Sequence, residues 1–264
     1  MKSKQTIYQS VISGSVAGAV ETVINHPLWA MKLRIQRGDS FTLNPQLLYR
    51  GFVPNISSAI PITAMQVGLN QGYKSIFLKD AVEISNSQRV AGAFLAGVGS
   101  AFVSCPTEMV MTWQHQMGEN FQASVKHLVA VGGVRCLFSG LFATMMREGL
   151  FTVAFLAATP IFRAEIQPYI SNYYAASLLA GIAAGVSASV ISQSSDTLKT
   201  FQQVSCEQQA LTLKHAAKKI YSSQGMRGFF RGGIPRGANM VSATIIMDMV
   251  NEHMNEVFCG GSSV

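Results

Sequence analysis

Three stretches of the chain, "HPLWAMKLRIQ", "CPTEMVMTWQH" and "QSSDTLKTFQQ", superpose with Pro27, Pro106 and Ser194 in register, at offsets of 79 and 88 residues. A second landmark follows each: "YRG" at 49–51, "LFSG" at 137–140 and "FFRG" at 229–232. Self-similarity at a regular period fixes architecture before any single motif does, because each copy must form the same supersecondary unit. The unit reads as an odd helix, a loop ending in an aromatic turn with glycine, and an even helix. The copies span roughly residues 6–80, 88–165 and 172–258 of one domain, 1–264.

What surrounds such a unit follows from composition. Hydrophobic residues make up 48% of the chain and charged residues only 12%, whereas a soluble domain carries about a quarter of its residues as Asp, Glu, Lys and Arg. Six apolar stretches lie at 7–33, 52–73, 90–112, 141–163, 173–199 and 234–254, each with the ~20 residues that cross a hydrocarbon layer. The expected fold class is therefore an all-α membrane protein, six transmembrane helices in three hairpin repeats around a central cavity. The second stretch carries Ser57, Ser58, Thr63, Gln66, Asn70 and Gln71. Polar groups at that depth must face protein or water, so this helix is expected to line a wet cavity.

Charge is distributed unevenly. The loops after odd helices, with the start of the sixth stretch, hold eleven Lys/Arg against Asp39, Glu119 and Glu207; the termini and the loops after even helices hold six bases and five acids. That is a topology bias, and it accounts for the net charge of +7 without nucleic acid as a partner. The four cysteines show no CxxC and the five histidines no HxxxH, so no metal site or disulfide framework is expected. No nucleophile–base constellation or Walker loop points to an enzyme. The basic opening runs straight into a span containing Glu21 and does not read as a cleaved signal. Gly14/Gly18, Ala93/Gly97 and Gly181/Gly185 supply small-xxx-small spacings for close helix approach.

Across all 264 residues these features resemble the mitochondrial carrier family. That family repeats Pro-x-(Asp/Glu)-x-x-(Lys/Arg) at the end of each odd helix, with a downstream aromatic-basic-Gly turn; "GMRGFFRGGIPRG" is the clearest copy here. The resemblance implies a monomer in the mitochondrial inner membrane (a host mitochondrion, if the source is a bacterium). It implies a matrix gate in which the acid of one repeat meets the base of the next: Asp196 with Lys32, and Glu108 with Lys199. The third pair falls on Trp29 and Met111, where both charges are replaced together. Their expected apolar contact avoids a stranded buried charge and gains a sulfur–aromatic contact of about 1 kcal/mol. Gln36, His115 and Gln203 take the places of the residues that brace the bridges, and Pro27 and Pro106 those of kinks, while Ser194 replaces the third proline.

At the opposite, cytoplasmic end the family's acid positions are Gln71, Pro160 and Asn251; Lys74 and Arg163 keep the basic places and Met254 loses the third. A ring of ion pairs is not expected there, and a weakly held closed state would permit net transport alongside exchange. The substrate contacts implied by the resemblance are Ser58, Arg147, Glu148 and Asn239, with Phe151 one turn past Arg147.

The favoured cargo at this level is an anionic metabolite, ATP or a related nucleotide foremost, its phosphate or carboxylate held by Arg147. "GYKSIFL" at 72–78 is similar to ADP/ATP carriers, and the short, eroded chain resembles a nucleotide carrier that a bacterium secretes into host mitochondria. Against this, the interior holds three bases and five acids, and "TFQQVS" stands where ADP/ATP carriers have an arginine triplet. The alternatives are an amino-acid or other zwitterion carrier using Arg147 and Glu148, and a membrane-inserting protein that transports nothing. No cofactor is expected; Arg231 and Arg236 are read as a basic lining that draws anions or binds cardiolipin headgroups.

Overall fold

A helix crossing lipid inside a barrel needs one apolar and one polar face, and the spacing of the fifth stretch supplies both. Leu178, Ile182, Val186 and Val190 recur every four residues and are exposed, whereas Ser177, Ser192, Asp196 and Lys199 are buried. This is the reverse of a soluble helix and suits a lipid exterior with a polar interior.

The computed structural model describes residues 7–37, 40, 42–77, 84–204 and 212–260; Asp39 and Glu207, counted above with the loop charges, lie outside them. Six long helices form: α1 Ile7–Arg37, α2 Phe52–Phe77, α3 Asn86–Met117, α4, α5 Tyr173–Val204 and α6 Gly233–Gly260. Helix α4 comprises Leu141–Val153, a π turn at Ala154–Ala158 and Thr159–Ile166. Each of the six apolar stretches falls inside one of these helices, and no strand occurs among the described residues. Each helix packs on its neighbours in the chain and α6 packs on α1, which closes a ring. This is the six-helix, all-α membrane architecture expected from the repeats.

Three segments, Asn86–Met117, Val134–Ile166 and Tyr173–Gln203, are long and apolar enough to cross a membrane by composition alone. Helices α1, α2 and α6 have 31, 26 and 28 residues, which span roughly 40 Å at 1.5 Å per residue. Their lower hydropathy comes from the polar groups they turn inward, among them Lys32, Gln66, Asn70 and Arg236, all buried.

Local chemistry sets the ends. Ser85 and Gln88 form a capping box at the start of α3, and Gly118 closes it in the left-handed region. Short helices Pro45–Leu48, Phe121–Gly132, Val134–Leu137 and Leu213–Gln224 occupy the loops after odd helices. Phe121–Gly132 docks through Leu128 on Met109, Val110 and Trp113 of α3. The repeat is visible in the backbone itself. Gly51, Gly140 and Gly232, the glycines of the three aromatic turns, all have φ between 75° and 79°, a region costly for residues with a Cβ. Cys105 is free, whereas Cys136 is disulfide-bonded, a crosslink that the cysteine spacing did not announce.

Each small-residue pair packs inside its own repeat. Gly14 and Gly18 face Val67 and Thr63 of α2, Gly181 and Gly185 face Ile245 and Val241 of α6, and Gly97 faces the backbone of Glu148 and Gly149 in α4. A Cβ at Gly97 would stand 2.3 Å from the Glu148 carbonyl oxygen, whereas one at Gly72 would meet nothing within 4 Å. Gly97→Ala is therefore expected to lower unfolding stability by about 1–3 kcal/mol. Gly72→Ala should be neutral or stabilise by up to about 1 kcal/mol. Chaotrope unfolding of the purified protein compares the two.

Candidate functional site

Ionisable residues inside a membrane barrel face its interior or a water-filled cavity and pair with one another. The last turns of the odd helices meet that requirement in one layer. Lys32 Nζ of α1 lies 2.9 Å from Asp196 Oδ1 of α5. Gln36 Nε2 donates to Asp196 Oδ2 at 2.7 Å, and Thr200 Oγ1 donates back to Gln36 Oε1 at 2.9 Å. Lys199 of α5 pairs with Glu108 Oε2 of α3. Both expected ion pairs are thus brought together and Gln36 braces the first. All four charged residues are buried, Asp196 completely.

The third side adds a ring contact to the expected apolar pair. Trp29 makes ring contacts with His115 at 5.2 Å, edge to face, and with His26 at 5.5 Å, stacked. Met111 is buried and lines the same cavity, but the ring partner of Trp29 on α3 is His115, one turn further on. An indole is longer than the carboxylate it stands for and extends over that extra turn. His115 is accordingly a member of the third contact. His26 is held by Asn55 Nδ2 at 2.8 Å and by the Arg50 carbonyl at 3.2 Å, within an aromatic group that includes Tyr49 and Phe52. Gln203 also departs from its expected place: its Oε1 accepts from Thr112 Oγ1 at 3.3 Å, which ties α5 to α3 beside the bridge. Pro27 and Pro106 lie inside continuous helices.

Two arginines from even helices join the layer. Arg147 Nη2 reaches Glu108 Oε1 at 2.6 Å and also contacts Glu148. Arg236 Nε lies 3.5 Å from Asp196 Oδ2, and its Nη2 donates to Ser192 Oγ at 2.7 Å. Arg236, expected to form part of a basic lining that draws anions, is 3% exposed. Its position near the start of α6 points it inward, and a buried guanidinium must find a carboxylate. Arg147 is likewise tied to Glu108, so its charge is shared between this layer and the space beyond it.

That space is a cavity of about 130 Å³. Ser58, Arg147, Glu148, Phe151 and Asn239, the five expected contact residues, all line it, together with Glu21, Asn25, His26, Trp29 and Gln66. Glu148 is braced by Gln66 Nε2 at 3.0 Å, and Gln66 also donates to Ser100 Oγ at 3.2 Å. Ser58 Oγ donates to the Asn55 carbonyl at 2.9 Å. Arg147 Nε has no hydrogen-bond partner. Further from the layer, Phe155 of α4, Met247 of α6 and Ala17 of α1 pack together, flanked by Phe151, Leu156 and Val250. Phe155 sits in the π turn, a rare element often found at functional positions; Thr159 Oγ1 donates to the Ala154 carbonyl there at 2.8 Å.

At the end of the barrel near the termini, where no ring of ion pairs was expected, an interhelical pair forms from a residue outside the expected positions. Arg163 pairs with Asp248 at 2.9 Å and donates to Ser177 Oγ at 3.2 Å. The acid is at 248 instead of 251, one turn earlier on the same helix. Asn251 instead accepts from Ser13 Oγ at 2.8 Å, and Gln71 donates to Ser10 Oγ at 3.1 Å. Lys74, Pro160 and these residues line an opening between α1, α2, α4 and α6. Sequence reasoning missed the roles of Arg236, Asp248 and His26. The signal available for the first two was a charge inside a lipid-length span.

A family model described as "Mitochondrial carrier protein" matches residues 3–47, 82–168 and 171–262. Among curated relatives, the mitochondrial glycine transporter of Xenopus tropicalis is 28% identical over 95% of this chain and 90% of its own length. That of Mus musculus is 25% identical over 94% and 83%. The mitochondrial carnitine carrier of Saccharomyces cerevisiae is 26% identical over 85% and 80%.

The third side of the layer can be tested by restoring the charges it lacks. Trp29→Glu alone places an unpaired carboxylate on the half-buried cavity wall and should lower the unfolding free energy. Adding Met111→Lys should recover most of that loss.

Proposed function

Because this chain belongs to the mitochondrial carrier family, and so is a multi-pass transporter of the mitochondrial inner membrane, we propose that it carries a small zwitterionic metabolite of the amino-acid class. The observation that carries this reading is the charge balance of the cavity. Its one arginine, Arg147, shares the lining with Glu21, Glu148 and Glu108. A carboxylate would dock on the guanidinium, whose Nε is unpartnered, while the acids favour a positive group on the same molecule. The cavity, at about 130 Å³, is below the ~300–1,000 Å³ typical of drug-sized ligand sites. The relatives named above carry glycine and carnitine in their names, and both compounds are zwitterions. This reading moves the zwitterion carrier ahead of the nucleotide. A polyanion would have to overcome the acids around the only cavity arginine, one already bonded to Glu108.

In this mechanism the layer of Lys32–Asp196 and Lys199–Glu108 is the matrix gate, with Trp29 and His115 as its third contact. A substrate carboxylate competes with Glu108 for Arg147, which loosens the Glu108–Lys199 bridge. The nucleotide reading keeps one observation in its favour: Phe151 lines the cavity beside Arg147 and offers a face for a base.

Uptake by the reconstituted protein separates the two. Glycine or carnitine should be taken up in preference to ATP and ADP, and Arg147→Ala should lower that uptake at least tenfold, as loss of a buried charge pair implies. Uptake of ATP without either zwitterion would transfer the assignment to nucleotides. Because the family's acid positions at the cytoplasmic end are the uncharged Gln71, Pro160 and Asn251, uptake into empty vesicles should exceed background. Empty-vesicle uptake at background with fast exchange would exclude net transport.

A further inference from the structure

Five carboxylates lie within the barrel, and four have a base beside them: Glu108 has Lys199 and Arg147, Glu148 has Arg147, Asp196 has Lys32 and Arg236, and Asp248 has Arg163. Glu21 of α1 is the exception among the described residues. It lines the cavity, and its hydrogen bonds come from its own helix, from Asn25 Nδ2 at 2.9 Å and Thr22 Oγ1 at 3.5 Å. These neighbours orient a carboxylate without neutralising it.

Two amides of the same cavity are left with unmet acceptors. Asn25 and Gln66 line the same cavity and are each 1% exposed, and neither Asn25 Oδ1 nor Gln66 Oε1 has a donor. Their orientation is fixed chemically: each amide nitrogen donates to a carboxylate, Asn25 to Glu21 and Gln66 to Glu148, so the oxygen must point elsewhere. A buried polar atom left unpaired is costly, and two of them in one cavity with a carboxylate that lacks a base call for a donor-rich cation. An ammonium carries three donors and one positive charge.

We propose that Glu21, with Asn25 and Gln66, forms a cation subsite that takes the ammonium group of the substrate while Arg147 takes its carboxylate. This rests on the zwitterion reading and names the residue that distinguishes an amino acid from a simple carboxylic acid. Glu148 does not serve, because both its oxygens are engaged by Arg147 and Gln66.

The test compares glycine with glycolate, in which a hydroxyl replaces the ammonium, on the full chain in liposomes. Glycolate is used as a competitor of labelled glycine uptake. Wild type should prefer glycine, and Glu21→Gln should reduce the glycine-over-glycolate preference at least tenfold, through KM for glycine. Glu21→Asp should retain most of the preference. A ratio is read within each variant, so a general loss of folded protein does not mimic the effect. If Glu21→Gln incorporates too poorly for transport, Asn25→Leu and the shift in thermal unfolding produced by glycine supply the same comparison. Glycine uptake with an unchanged preference in Glu21→Gln would overturn the subsite and leave the zwitterion reading standing. Uptake of ATP with no glycine or carnitine uptake by wild type would overturn both.

Discussion

The structure depends on two buried ion pairs that join three helices at one end of the barrel. Lys32–Asp196 links α1 to α5, Lys199–Glu108 links α3 to α5, and the Trp29–His115 contact links α1 to α3. A buried pair roughly breaks even against an apolar replacement, yet removing one partner is severe. Such pairs are therefore poor general glue and good specifiers. They fix which repeat meets which, and they can be exchanged for another arrangement without a large net change in free energy. That is the property a gate needs, and the apolar third side shows how one of its contacts can lose both charges without stranding either.

The layer is continuous with the cavity through a single guanidinium. Arg147 touches Glu108 of the ion-pair layer and Glu148 of the cavity wall. Any anionic group entering the cavity competes for a donor that the layer uses. Arg236 plays the corresponding part on Asp196, deeper and without an opening to the cavity. Glu21 stands apart from both, which is why the lining as a whole presents one shared positive group and a separate unneutralised acid.

The sequence made the architecture legible because it is written three times. Lipid-length apolar stretches, the register of Pro27, Pro106 and Ser194, and the turn glycines located every barrel helix, and the resemblance to the carrier motif implied both ion pairs. What escaped was set by side-chain length and by helix rotation, neither of which a spacing encodes. An indole reaches His115, one turn beyond Met111 on α3. Asp248 pairs with Arg163 at the other end, one turn away from the uncharged acid position at Asn251. Arg236 was counted with the loop charges, although its place at the start of α6 turns it into the barrel. Glu21 was visible as a charge at mid-span, but its lack of a base could be known only once the partners of the other acids were assigned.

The central claim is that Lys32 and Asp196 act as a pair across the repeats. The most direct measurement is a double-mutant cycle in unfolding free energy, with Lys32→Met, Asp196→Asn and both together. The account predicts that the combined variant loses no more than the worse single change, an interaction of about 2 kcal/mol. Losses that simply add would contradict it.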